Sequence, residues 1–261
     1  YTSAGNAALN FSALGSRTNG ADALFVVKGG VNGSTNKISF TTAPWTAGTL
    51  KADYFFGTAY PTTTAAPADF AVYDAGLFVR GINWASDTTL GATVAASASL
   101  TTTKANWINA TSGTTGTVTQ GSAITINGLK LTANATLVAN GVVTTPSVLA
   151  SENTTSTISG SAGLTAPTGK DLLVRVDAPN DTLTITAPIT SATTGGLTKA
   201  GQGILVVSGS NAFSGNIFIN GGTLSMSGNA YNGADPATGP LGASGTARQI
   251  VLNGGKFQLS S

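Results

Sequence analysis

Eleven residues near the end of the chain repeat, position by position, eleven that begin 33 residues earlier. Asn216-Ile217-Phe218-Ile219-Asn220-Gly221-Gly222-Thr223-Leu224-Ser225-Met226 and Gln249-Ile250-Val251-Leu252-Asn253-Gly254-Gly255-Lys256-Phe257-Gln258-Leu259 share one order. It runs polar, Ile, apolar, aliphatic, Asn, Gly, Gly, any residue, apolar, polar, apolar. Within Ile217-Phe218-Ile219 the period is two, so Ile217 and Ile219 face one way and Phe218 the other. The glycine pair breaks the run where positive φ is easiest for glycine, and Thr223 to Met226 resumes the alternation. A unit of a few short strands cannot offset its own ordering entropy by burying so few side chains. Copies must therefore stack and share one core, as coils of a parallel β-helix. The expected core positions are Ile217, Ile219, Leu224, Met226, Ile250, Leu252, Phe257 and Leu259. The expected turns are Asn220, Gly221, Gly222, Asn253, Gly254 and Gly255, with Asn220 and Asn253 at one corner, their amides bonded along the axis. Weaker copies are read at Ala123 to Leu131 and at Phe25 to Gly30.

The longer stretch 195–226, GGLTKAGQGILVVSGSNAFSGNIFINGGTLSM, carries Gly196-Leu197-Thr198-Lys199, Gly201, Gly203, Leu205, Ser208-Gly209, Asn211, Phe213, Gly215 and Ile219 to Leu224. It resembles the autotransporter-associated β-strand repeat, also called the passenger-associated transport repeat, of Gram-negative surface proteins. Asn216-Ile217 stands where that family often has glycine and threonine. The resemblance implies an exported passenger, located extracellularly or at the cell surface in association with the outer membrane.

Composition narrows the chemistry. Ser and Thr make up a quarter of the 261 residues, 34 are Gly, and only 8% are charged, with a net charge of +2. That balance suits β-rich extracellular fibres, and 41% hydrophobic residues argue against disorder. The chain has no cysteine, so it can form neither a disulfide nor a thiolate metal site. It has no histidine, which removes the commonest general base and the commonest zinc ligand. The twelve basic residues form no run, so no nucleic-acid partner is expected. No apolar run is long enough to span a bilayer. The absence of an initiating Met and of a leader pattern suggests a segment of a longer chain.

The fold expected is all-β: a right-handed parallel β-helix, or β-solenoid, with an aromatic-rich, loop-rich N-terminal part. Fourteen of the 18 aromatic residues lie in 1–110, read as a β region with long loops; 111–261 is read as the solenoid. The Pro/Thr/Ala stretch Thr58 to Pro67 reads as a loop. Residues 227–247, with turn signals at Asp235-Pro236 and Gly239-Pro240, read as an excursion between coils.

The ten carboxylates are scattered: Asp22, Asp53, Asp69, Asp74, Asp87, Glu152, Asp171, Asp177, Asp181 and Asp235. Only Asp171, Asp177 and Asp181 cluster, around the run Leu172 to Val176. They read as caps for turn amides, with a calcium site as the alternative. Arg175, alternating with Val174 and Val176, is expected to face solvent. The leading functional reading is a structural or adhesive stalk or coat without catalytic residues, cofactor or metal, able to self-associate into fibres or sheets and to meet surface glycans. The alternative is a polysaccharide-binding or polysaccharide-cleaving β-helix, with Trp45, Trp84 or Trp107 beside Asp74 or Asp87. Core packing is the blander reading of those tryptophans.

Overall fold

The computed structural model describes residues 7–59, 67–110, 116–152, 154–191, 195–227, 238–243 and 247–260. Most of the Thr58 to Pro67 loop, Asp235-Pro236 and much of the 227–247 excursion lie outside them. The described residues form 25 strands and no helix, so no helix among them is long and apolar enough to cross a membrane.

The N-terminal lobe contributes β1 (Ala7–Phe11), β2 (Leu24–Val26), β3 (Asn36–Phe40), β4 (Thr49–Gly57), β5 (Asp69–Tyr73) and β6 (Val79–Gly81). From β7 (Gly91–Val94) onward every pairing between strands is parallel, and three sheets form the faces of a solenoid. On the first face β7 is followed by β8 (Ala105–Asn109), β11 (Gly128–Thr132), β14 (Ser147–Ala150), β17 (Leu172–Val176), β20 (Leu197–Ala200), β22 (Ile217–Ile219) and β24 (Ile250–Leu252). The second face stacks β9 (Thr117–Gln120), β12 (Thr136–Ala139), β15 (Thr155–Ser159), β18 (Thr182–Ile185), β21 (Ile204–Val207), β23 (Thr223–Ser227) and β25 (Lys256–Ser260). The third holds β10 (Ile124–Thr125), β13 (Val143–Thr144), β16 (Leu164–Ala166) and β19 (Ile189–Ser191).

Each turn of the chain visits the faces in that order, so equivalent residues fall on top of one another. Val118, Leu137, Ile158, Ile185, Val207, Met226 and Leu259 make one vertical row. Ile124, Val143, Leu164 and Ile189 make another on the third face. Apart from Met226 and the exposed Leu259, these rows fill or line the column with branched aliphatic side chains, which pack well on pleated surfaces. Coil length varies while register does not: Leu129 to Val148 is 19 residues, Ile219 to Leu252 is 33.

The column starts earlier than the 110/111 boundary read from composition, because β7 and β8 already belong to it. The weaker copies also resolve differently. Ile124-Thr125 is a third-face strand and Gly128–Thr132 a first-face strand, so that segment is out of phase with 216–226. Phe25 lies in β2, outside the column altogether.

The lobe lies against the outer surface of the first face. Its sheet runs β2-β4-β5-β6, with β2 and β4 parallel and the other pairs antiparallel. One side packs Ala52, Phe55 and Phe70 on Ala105, Leu149, Leu173 and Ala200 of the solenoid. The other side buries Tyr54, Phe56 and Tyr73 with Ile38 and Phe40 of β3. The molecule is therefore layered: β1 and β3, then the lobe sheet, then the column.

Candidate functional site

The two copies of the eleven-residue unit lie directly over one another. Ile217 pairs with Ile250, Phe218 with Val251 and Ile219 with Leu252, and Leu224 with Phe257, all parallel. Ile217, Ile219, Leu224 and Met226 are buried in the column, and Phe257 packs against it half-buried. Ile250, Leu252 and Leu259 differ from the expectation of a buried core: they are 43, 57 and 68% exposed. The reason is position, since they belong to the final described coil and no other coil covers them among the described residues.

At the corner, Asn253 Nδ2 donates to Asn220 Oδ1 at 3.0 Å. Asn220 Nδ2 in turn donates to the Gly20 carbonyl (2.9 Å) and to Asp22 Oδ1 (2.6 Å), so the asparagine stack continues into the lobe. Gly222 has φ +60°, and a Cβ there would strike the Gly203 carbonyl of the coil below; Gly255 is required because a Cβ would strike the Ile219 side chain. In the second copy the left-handed residue is instead Gly254. Asn220→Ala is expected to lower stability by about 1–2 kcal/mol and to increase hydrogen exchange at residues 20–22 first; an unchanged urea midpoint would show the corner to be ornamental.

The rest of the 195–226 motif also has local causes. Asn211 is fully buried on the third side: its Oδ1 accepts the Ile189 amide (2.7 Å) and its Nδ2 donates to the Pro240 carbonyl (2.7 Å), joining adjacent coils. Phe213 is fully buried where the lower coils place third-face strands. Lys199 lies in the row of Val174 and Ile219, whose side chains are in the core. Its Nζ donates to the carbonyls of Ala200 (2.7 Å), Gly201 (3.0 Å) and Gly221 (3.1 Å). Burial, reinforced by the nearby Arg175, lowers its pKa to about 7.

The outer row of the first face departs most from the sequence reading. Arg175 does leave the column, but it meets the lobe and not solvent, and is 4% exposed. Its Nε donates to Asp177 Oδ1 (2.7 Å), Asp22 lies 3.7 Å from its Nη1, and its guanidinium stands over the Phe55 ring. Asp177 Oδ2 accepts the Ala68 amide. Asp171 accepts from Arg17 Nη2 (2.7 Å), the Gly20 amide (3.0 Å) and the Thr198 hydroxyl. Asp181 caps its own turn by accepting the Ala178 amide and ties it to the neighbouring coil by accepting the Thr154 amide. Two of the three clustered carboxylates thus fasten the lobe to the column. Among the described residues no group of three metal-ligating side chains forms. The signal that this face was covered was present in Val148-Leu149 and Leu172-Leu173-Val174: adjacent apolar residues place one on each side of a strand.

The tryptophans are structural where they stand. Trp45 stacks on Tyr54 at 5.5 Å within the lobe. Trp84 and Trp107 are 5.5 Å apart at the lobe–column boundary, their indole N–H groups donating to Asp69 and Thr132. Asp74 and Asp87 both grip Arg80, whose hydrogen bonds hold both carboxyls below their usual range against a burial cost. Two carboxylates kept ionised by one cation are a poor acid–base pair.

Residues 197–226, which run from β20 to β23, match the family described as passenger-associated-transport-repeat. The chain contains an autotransporter passenger repeat. Over 152 residues, 55% of its length, it is 37% identical to the adhesin BmaC autotransporter of Brucella suis biovar 1 (strain 1330). It spans only 4% of that protein's length. No solved structure matches it.

Proposed function

We propose that this chain is part of an exported autotransporter passenger that stands at the cell surface as a non-enzymatic, adhesive β-solenoid. The observation that carries the reading is the uninterrupted parallel register from β7 to β24 in a chain containing a passenger repeat. Stacked coils linked by ladder hydrogen bonds and an aliphatic core make a stiff rod, and the excursions between coils give it variable side loops. Adhesion follows from the likeness to an adhesin, with surface glycans and further copies of the chain as partners. The exposed Ile250, Leu252 and Leu259 and the unpaired edges of β24 and β25 are the surface on which another coil, from the same chain or a second copy, would stack.

Beads coated with the purified chain are expected to adhere to cultured animal cells or immobilised glycans, while incubation with polysaccharides releases no reducing ends. Release of reducing ends would replace the adhesive reading with the enzymatic one. Failure to adhere to any cell or glycan would leave only the rod.

A further inference from the structure

Buried lysine–carboxylate contact is confined, among the described residues, to one place, where the lobe meets the column. Asp69 opens β5 of the lobe, Lys130 is the central residue of β11, and Lys130 Nζ lies 2.8 Å from Asp69 Oδ2. Glu152 Oε1 is 3.2 Å from the same Nζ. We propose that Lys130 and Asp69 condense to an intramolecular amide that ties the lobe covalently to the solenoid, with Glu152 carrying protons for the reaction.

Four features favour condensation over a resting ion pair. First, Lys130 is 2% exposed, and its Nζ sits 5.0 Å from the centre of the Trp107 ring, next to Trp84. Burial disfavours holding two separate charges, and it falls mainly on Lys130, since the Asp69 and Glu152 side chains are 19 and 36% exposed. It still pushes the Asp69 carboxyl above its ordinary range, despite the pull of Lys130. Second, the carboxyl is already polarised: Trp84 Nε1–H donates to Oδ2 (2.9 Å) and the Phe70 amide to Oδ1 (3.0 Å). The Phe70 amide is placed to stabilise an oxyanion on Oδ1, while Trp84 holds Oδ2, the oxygen that departs. Third, Glu152 reaches the site from a non-glycine residue at φ +74°, a conformation that persists only where surroundings impose it. Fourth, the residue type is right. The other buried ion pairs of this interface use Arg17 and Arg175, permanently protonated guanidiniums that are not nucleophiles. Lys199, the other buried lysine, donates to backbone carbonyls.

The balance requires no oxidant or other reactant. The ammonium of Lys130 gives one proton to Asp69 before attack, which leaves a neutral amine. The free amine pair attacks Asp69 Cγ, and the nitrogen gives a second proton to Glu152 once the C–N bond has formed. The C–O bond then breaks, and that oxygen departs as water carrying one proton from the acid and one returned through Glu152. Lysine ammonium plus aspartate carboxylate become amide plus water, with no net charge left. The reacting groups are 61 residues apart and meet only in the folded chain, so the staple forms after folding. In a chain without cysteine it takes the place a disulfide cannot fill.

Mass spectrometry of the unfolded chain tests this. The wild-type mass is expected to fall short of the sequence mass by one water, and trypsin to leave Lys130 uncut, yielding a branched species of 52–80 joined to 105–170. Lys130→Arg, which keeps the charge, should restore the full mass and separate the two peptides. Glu152→Gln should slow joining roughly a hundredfold. A folded wild-type chain of full sequence mass overturns the proposal, as does a water loss that persists in Lys130→Arg.

Discussion

Asp171→Ala is expected to lower the stability of the folded chain by about 3–5 kcal/mol and to release residues 17–22 from the column. Asp171 is fully buried and serves three donors, the Arg17 guanidinium, the Gly20 amide and the Thr198 hydroxyl. Two of them belong to the lobe and the third to the passenger repeat. Deleting the carboxylate leaves Arg17, its side chain only 4% exposed, with the Ala21 carbonyl at 3.0 Å and Asp53, at 3.5 Å, as its one remaining counter-charge. An uncompensated buried cation costs far more than a surface pair contributes. Asp74→Ala is the control: its carboxylate is 27% exposed beside Arg80, and its loss should cost no more than about 1 kcal/mol. Urea unfolding gives the two stabilities, and hydrogen exchange locates the change. Equal effects from both variants would mean that the charged layer under the lobe contributes nothing special.

The column was legible because its causes are local. Alternation in Ile217 to Ile219, the corner asparagine and the glycines that permit close stacking each leave a mark within a few residues. Register is preserved over steps of 14 to 33 residues along the first face, so a fixed period appears only where two coils happen to match, as at 216 and 249. The lobe's position was not legible in the same way. Period two correctly sends Arg175 and Lys130 out of the column, yet it says nothing about what lies outside. Only the doubled apolar residues at Val148-Leu149 and Leu172-Leu173 mark a strand covered on both sides. Phe55 and Phe70, which do the covering, are distant in sequence from the column residues Leu149, Leu173 and Ala200 that they cover. The same applies to Asp69, which lies 61 residues from Lys130 and carries no motif.

Stability should also rise with pH between about 7 and 10, by roughly 1.4 kcal/mol per unit and some 5 kcal/mol across the full interval to the ordinary lysine value. Lys199 is the cause. Its pKa is about 7 in the folded chain against 10.5 for an unburied lysine, chiefly because burial disfavours the ammonium. Below pH 7 the group is protonated whether the chain is folded or not, and no slope arises. Above it the unfolded chain still holds a proton that the folded chain has released, so removing protons favours folding. Arg175 pushes in the same direction as burial, while Asp22 and Asp177 oppose it. Above pH 10 Tyr54 acts with the opposite sign, since burial raises its pKa and the unfolded chain then ionises first. The difference between wild type and Lys199→Met isolates the lysine, because Asp69 and Tyr54 are common to both. Methionine leaves three carbonyls without their donor, a constant cost, but removes the slope. Parallel stability curves for the two proteins from pH 7 to 10 would show that the Lys199 ammonium stays charged at its corner, held by the carbonyls of Ala200, Gly201 and Gly221.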